Sequence, residues 1–292
     1  MSDPAYRIEP KNKFFEATRA IVEYEIRPGN TVSFLAEVDL TEVERVRAAA
    51  GGRKPSYTSF VVLAVALALR DFPYANRRVW RRAWLLPGAR LQKFHHCDVA
   101  VAVERDFPGS EATAFIDIVR EADRATLADV TEALYDLAHC DATTHKQWRE
   151  FSGVITRLPV WLASVLIRLP CFVPRLWVKW RGGAALISSP AKYGVDAVLG
   201  SWSHPVGVSF GLVKLRPVVL DGAIVARPTF TLTLNFDRRV MAGAQAARFF
   251  RRIAERLERA ETELAVGRSA AAAPHPSVRD VVTATDSTDP ER

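Results

Sequence analysis

"RPVVLDGAIVARPTFTLTLNFDRRVMAGAQAARFF", residues Arg216 to Phe250, carries three structural signals in succession. Asp221-Gly222 stands between two apolar runs, and such a pair is favoured in a two-residue hairpin turn because both positions need positive φ. "TFTLTLNF" (Thr229 to Phe236) then reads as a strand. From about Ala244 to Glu263 the apolar residues return at helical spacing, placing Ala246, Phe249, Phe250, Ile253 and Leu257 on one face of an amphipathic helix. Between strand and helix lies "DRRVMAG" (Asp237 to Gly243), which has the build of a catalytic loop.

Upstream, strands and helices alternate. "TVSFLAEVDL" (Thr31 to Leu40) has the period of a half-buried strand, and "TEVERVRAAAGG" follows it, with Thr41 and Glu44 spaced as a capping box and Gly51 as the stop. "TSFVVLAVALALRDFP" (Thr58 to Pro73) is apolar nearly all round and predicts a buried helix. "DVAVAVE" (Asp98 to Glu104) and "ATAFIDIV" (Ala112 to Val119) predict strands. "TLADVTEALYDLA" (Thr126 to Ala138) predicts a helix opened by Thr126 with Asp129 three residues on. "AALISS" and "VGVSFGLVKL" predict two further strands. No internal repeat is present. The pattern is a mixed α/β chain built on hairpins.

The ends differ from the middle. Residues 1–12 read as an N-terminal arm, 13–266 as one folded unit, and 267–292, rich in Ala, Ser, Thr and Pro without periodicity, as a disordered tail. The chain of 292 residues, 49% of them hydrophobic, is long enough to bury a substantial core. Its N-terminus is polar and has no signal-peptide core, and Cys97, Cys140 and Cys171 lack CxxC spacing; both point to a cytoplasmic protein with reduced thiols. No residue spacing suggests a metal site. The net charge of +7 is partly local, in "NRRVWRR" (Asn76 to Arg82) and from Arg157 to Arg181. A basic, aromatic-bearing surface suits nucleic acid, anionic lipid or a phosphorylated ligand. No recognition fold accompanies it, so nucleic acid is not expected as a partner.

The order of elements and six blocks resemble the catalytic domain of the 2-oxoacid dehydrogenase acyltransferases, relatives of chloramphenicol acetyltransferase. The blocks are "FLAEVDLTEVERVRAAA", "SYTSFVVLAVALALRDFPYAN", "CDVAVAVE", "VREADRATLADVTEALYDLA", "ISSPAKYGVDAV" and "GLVKLRPVVLDGAIVARPTFTLTLNFDRRVMAGAQAARFF", spanning roughly Phe14 to Glu263. The resemblance implies an α/β fold of the chloramphenicol acetyltransferase type, a mixed sheet flanked by helices. It implies a homotrimer whose active channel lies between subunits, one contributing the serine region and the next the histidine loop. It also implies acyl transfer from coenzyme A, or a related acyl carrier, to dihydrolipoamide or another acceptor. The lipoyl and partner-binding domains that precede the catalytic domain in the full enzymes have no counterpart in the dozen residues ahead of the resemblance, so a swinging-arm role is not expected.

The family's loop motif is Asp-His-Arg-x-x-Asp-Gly, its histidine the general base and its second Asp the partner of an early Arg. Here Asp237, Arg239 and Gly243 match, Arg238 occupies the base position and Ala242 the second Asp. Arg19 is the candidate for the early Arg. Ser188, with Ser189 beside it, falls where the family hydrogen-bonds the oxyanion. Arginine stays protonated and offers no acceptor, so Arg238 cannot take a proton at pH 7. A positioned base contributes about 10²–10⁴-fold, roughly 3–5 kcal/mol of barrier. Arg238 can instead stabilise a thiolate or hold a carboxylate or phosphate. His95, His96 and His204 are candidate substitute bases; His139 and His145 flank a helix end and His275 is in the tail. Two readings stay open: an acyltransferase with an electrostatic substitute for its base, and a non-catalytic oligomeric binding module.

The other departure is the basic apolar insert, residues 150–181. It sets Trp161, Trp177 and Trp180 among Leu, Val and Ile with Arg157, Arg168, Arg175 and Lys179 interspersed. Its longest uncharged run, Leu158 to Ile167, is too short to span a bilayer, which needs about 20 apolar residues. The composition suits either a helix pair at a membrane interface or a hairpin covering the domain's own core or a subunit contact.

Overall fold

The computed structural model describes residues 5–10, 30–80, 90–105, 113–140, 144–158, 162, 166 and 169–265. Arg19, Arg81, Arg82, Trp161, Arg168, His275 and the segment 267–292 lie outside the described residues.

The chain opens on strand β1 (Tyr6–Pro10), which falls within the segment expected as an arm, and continues at β2 (Thr31–Asp39). Helix α1 (Thr41–Ala49) follows at once. Its start differs from the expected capping box. Leu40 is the N-cap, and Asp39 Oδ1 accepts from the Thr41 backbone N–H at 2.8 Å and from its hydroxyl, so the strand's last carboxylate does the capping. Glu44, free of that duty, pairs with Arg47 and accepts from the Tyr57 hydroxyl. A carboxylate is the stronger acceptor at a helix N-terminus, where the backbone dipoles favour negative charge.

Helix α2 (Tyr57–Asp71) is buried without a break from Ser59 to Leu69, as its all-round apolar sequence requires, and Ser56 caps it by accepting from Ser59 N–H. The next elements are β3 (Arg77–Trp80), β4 (Arg90–Phe94), β5 (Val99–Arg105), β6 (Thr113–Val119) and α3 (Leu127–His139). The Thr126–Asp129 capping box of α3 forms as the spacing predicts. Helix α4 (Lys146–Arg157) leads into the insert, which contributes α5 (Pro174–Arg181). Then come β7 (Ala185–Ser188), β8 (Val206–Phe210), β9 (Lys214–Leu220), β10 (Ala223–Asp237), α6 (Gly243–Glu258) and the short α7 (Ala260–Glu263).

The main sheet runs β2-β10-β8-β7-β5-β6, with β9 paired to the outer half of β10. β5-β7-β8 are parallel and the remaining pairs antiparallel, so the sheet is mixed. β1-β4-β3 form a separate small antiparallel sheet. Helix α2 is sandwiched among α3, α6 and the sheet, and the five expected apolar residues of α6 are buried against that core. Asp221 and Gly222 both have positive φ, +49° and +80°, as a hairpin turn of the predicted kind demands.

"VGVSFGLVKL" is two strands, not one. At Gly211 the backbone of Asp196 passes so close that a Cβ would lie 2.0 Å from its carbonyl oxygen. The strand is interrupted there and resumes as β9 along the same neighbour, β10, beyond the end of β7. Among the described residues no helix is long and apolar enough to cross a membrane.

Candidate functional site

The loop Asp237–Ala242 is held by its own charges and by the core beneath it. The Asp237 carboxylate accepts from the Arg239 backbone N–H at 2.8 Å and from its side chain at Nε, 3.0 Å, and Nη2, 2.8 Å. Val240 and Met241 are fully buried, and Arg77 Nη2 donates to the Val240 carbonyl at 2.7 Å. Arg238 sits on this pinned turn with its backbone N–H donating to Asn30 O at 2.9 Å. Its side chain is exposed and makes no hydrogen bond or ion pair among the described residues.

Ala242 is the N-cap of α6. Its backbone N–H donates to Gln245 Oε1 at 3.0 Å, but a methyl group cannot return a hydrogen bond to the helix. Gly243 opens the helix with open space around its Cα hydrogen.

Ser188 ends β7. The structure separates it from its neighbour: Ser189 Oγ donates to Phe210 O at 2.9 Å and accepts from Ala191 N–H, a structural pairing, whereas the half-buried Ser188 hydroxyl has no such partner among the described residues. Register fixes the distance between Ser188 and Arg238. Ser188 lies level with Ser209 of β8, and Ser209 with Thr233 of β10. Arg238 is five residues farther along β10 and two strands across. At about 3.3 Å per residue and 4.8 Å per strand, the two backbone positions are roughly 20 Å apart in one chain.

The three candidate bases, His95, His96 and His204, lie at the Arg238 end. His95 and His96 precede β5, whose Val99 is level with Ala185, the start of β7; His204 precedes β8 at the same level. None stands beside Ser188 in the same chain. His95 is exposed, and His96 Nδ1 lies 2.5 Å from Glu121 Oε1. His204 is buried, with both ring nitrogens engaged: Nε2 donates to Arg181 O at 2.9 Å and Nδ1 accepts from the Ser203 hydroxyl at 3.0 Å. Burial, aided by the positive Arg181 and Arg78, pushes its pKa down to about 4. A neutral imidazole so committed is a structural group and a poor proton acceptor.

Beside the loop is a polar cavity of about 330 Å³ lined by Arg78, Trp177, His204, Asn235, Asp237 and Arg239. The sequence assigned the arginines of "NRRVWRR" to the surface, but Arg78 is only 5% exposed. Its Nε donates to Gln92 Oε1 at 2.7 Å, Nη1 to the Cys171 carbonyl at 3.2 Å, and its guanidinium stacks 4.0 Å from the Trp177 ring centre. Burial lowers its pKa to about 10, which leaves it charged at neutral pH. Sequence periodicity cannot find such a residue, because Trp177 and Cys171 reach it from almost a hundred positions away. Cys97 is buried, its thiol pushed up to about 12 by desolvation; Cys140 is half-buried and Cys171 exposed, and none is in a disulfide. Among the described residues no group of three or more His, Cys, Asp or Glu is placed to hold a metal.

The family described as 2-oxoacid dehydrogenases acyltransferase (catalytic domain) matches residues 27–156 and 179–265 and leaves out most of the insert. The lipoamide acyltransferase component of the branched-chain alpha-keto acid dehydrogenase complex of Pseudomonas aeruginosa is 26% identical over 238 residues, covering 79% of this chain. The chain spans 46% of that relative's length. The dihydrolipoamide acetyltransferase of Azotobacter vinelandii superposes with a TM-score of 0.58 at 20% identity, covering 88% of this chain and 93% of that one. Its crystallographic and enzymatic investigation concerned a serine, a histidine and an asparagine four positions after the histidine in the catalytic mechanism. A chloramphenicol acetyltransferase superposes with a TM-score of 0.53 at 12% identity, covering 86% and 100% of the two chains.

Proposed function

Because this chain belongs to the 2-oxoacid dehydrogenase acyltransferase family, matched over its catalytic domain, we propose that it binds an acyl group carried on coenzyme A or a related thiol, at a site completed by a second copy of the chain. The observation that carries this reading is the pair of unengaged groups, Ser188 and Arg238, that one chain holds roughly 20 Å apart. A ring of three copies, in which each Ser188 meets the next chain's Arg238, brings them together. The exposed apolar side chains of the β9–β10 hairpin, Leu215 at 74%, Val219 at 68% and Ile224 at 77%, support such an assembly.

In that site the Ser188 hydroxyl donates to the acyl oxygen, and Arg238 supplies charge where the motif has a base. The four-residue spacing from Arg238 to Ala242 equals that of the histidine and asparagine studied in the Azotobacter enzyme, which supports the alignment. A guanidinium holds a thiolate or an oxyanion but removes no proton, so transfer by the natural chain lags a base-equipped relative by about 10²–10⁴-fold. Coenzyme A is here a substrate, and the acceptor is a thiol or hydroxyl.

The test is binding and turnover on the full chain. Coenzyme A is titrated calorimetrically, and acyl-coenzyme A is offered with dihydrolipoamide, for the natural protein, Arg238→His and Ser188→Ala. Turnover that rises in Arg238→His and falls in Ser188→Ala supports the enzyme. Coenzyme A bound by all three without turnover leaves the second reading, a non-catalytic module, which the loss of both motif residues at Arg238 and Ala242 favours. No binding of coenzyme A by any of them defeats both. The exposed Phe172 and Val173 beside Arg175 and Lys179 support a peripheral contact with anionic membrane; flotation with phosphatidylglycerol vesicles measures it.

A further inference from the structure

The insert does more than add α5 to the family fold. Between it and the edge strand β6 lies a cavity of about 510 Å³, well inside the range of roughly 300–1,000 Å³ that small-molecule sites occupy. One wall belongs to the matched fold: Phe115 on β6 and Phe151 on α4. The facing wall is Leu166, Leu169 and Leu176, from the part of the chain that the family match omits, together with Trp180 just beyond it. A cavity so lined cannot satisfy a polar ligand along its length, and an empty apolar space forfeits contact energy.

Its polar groups are few: Gln147, Glu150 and Arg181. Gln147 donates to the Trp180 carbonyl at 3.3 Å. Glu150 lies 4.0 Å from Lys146 and its side chain is 38% exposed, which places it at the watery end. Arg181 differs. It is partly buried, and its guanidinium has no hydrogen bond and no carboxylate partner among the described residues. Other buried arginines are engaged: Arg105 by Asp117, Arg256 by Asp71 and Glu263, and Arg78, without a carboxylate, by Gln92 and the Cys171 carbonyl. Partial burial lowers the pKa of Arg181 from its ordinary value. Its backbone carbonyl accepts from His204 Nε2 at 2.9 Å, which fixes where the residue leaves α5, and the residue lines the cavity.

We propose that this cavity binds a single-chain aliphatic anion, its hydrocarbon between Phe115, Phe151 and the insert leucines and its terminal carboxylate on Arg181. The inference stands apart from the acyl-transfer reading, since it concerns a different cavity and its readout is equilibrium binding.

Titration of the full chain with decanoate, decanol and decylamine, followed by calorimetry and by intrinsic tryptophan fluorescence, tests it. Decanoate is expected to bind at least tenfold more tightly than decanol, and affinity should rise about fourfold per added CH₂ across a hexanoate-to-dodecanoate series until the cavity is full. Arg181→Gln should bring decanoate to the decanol level and leave decanol unchanged, with Glu150→Gln retaining the preference for decanoate. Leu176→Trp, which fills the space, should abolish binding of both; an unchanged thermal midpoint shows that the variant is folded. Equal affinity for decanoate and decanol, a decanoate preference that survives Arg181→Gln, or tighter binding of decylamine would overturn the proposal. So would binding seen only on phosphatidylglycerol vesicles and not to free decanoate, which would assign these residues to a membrane surface.

Discussion

His204 makes a quantitative statement about stability in acid. Its imidazole is buried, neutral and doubly hydrogen-bonded, and its pKa is held at about 4, against 6.5 for an exposed histidine. The folded chain therefore binds fewer protons at this position than the unfolded chain does. The folded pKa is the lower one, so this contribution is fully present above pH 6.5 and is lost as the pH falls toward 4. The full loss is about 3 kcal/mol, and about 2 kcal/mol of it is gone by pH 5. His204→Gln keeps an N–H for the Arg181 carbonyl and an acceptor for Ser203 but does not titrate. Urea unfolding of both proteins at one protein concentration, from pH 7.5 to 4.5, gives the difference in free energy with the other titrating groups cancelled. The natural chain should lose about 2 kcal/mol relative to His204→Gln between pH 7.5 and 5. A difference that stays constant with pH would show that His204 is solvated or already charged in the folded protein, and the account of the polar cavity wall would be wrong.

Two further expectations concern stability. Ala242 occupies an N-cap with extended backbone, φ −78° and ψ 162°, and no side-chain acceptor; Ala242→Asp should add about 1 kcal/mol, seen as a thermal midpoint higher by about 2–4 °C. Asp117 is 1% exposed, ion-paired to Arg105 at 2.5 Å with His145 Nε2 3.0 Å away. Asp117→Ala should cost about 3–5 kcal/mol in denaturant unfolding by leaving Arg105 buried and unpaired, and Arg105→Met combined with Asp117→Leu should recover part of that.

The chain's own pattern was enough to determine its family fold. The all-round apolar helix Tyr57–Asp71, the Thr126–Asp129 capping box, the Asp221-Gly222 turn and the apolar face of Gly243–Glu258 are local or periodic features, and each was legible because one element's geometry imposes it. Tertiary structure decided what depends on partners distant in sequence. It moved the cap of the first helix to Asp39, broke "VGVSFGLVKL" where Asp196 crosses Gly211, and engaged both nitrogens of His204. It set Ser188 and Arg238 at opposite ends of the sheet, buried Arg78 against Trp177, and left Arg181 unpaired on an apolar cavity. Periodicity tells which side of an element faces inward; the environment of a charge is made by whatever segment packs over it, and no local pattern names that segment.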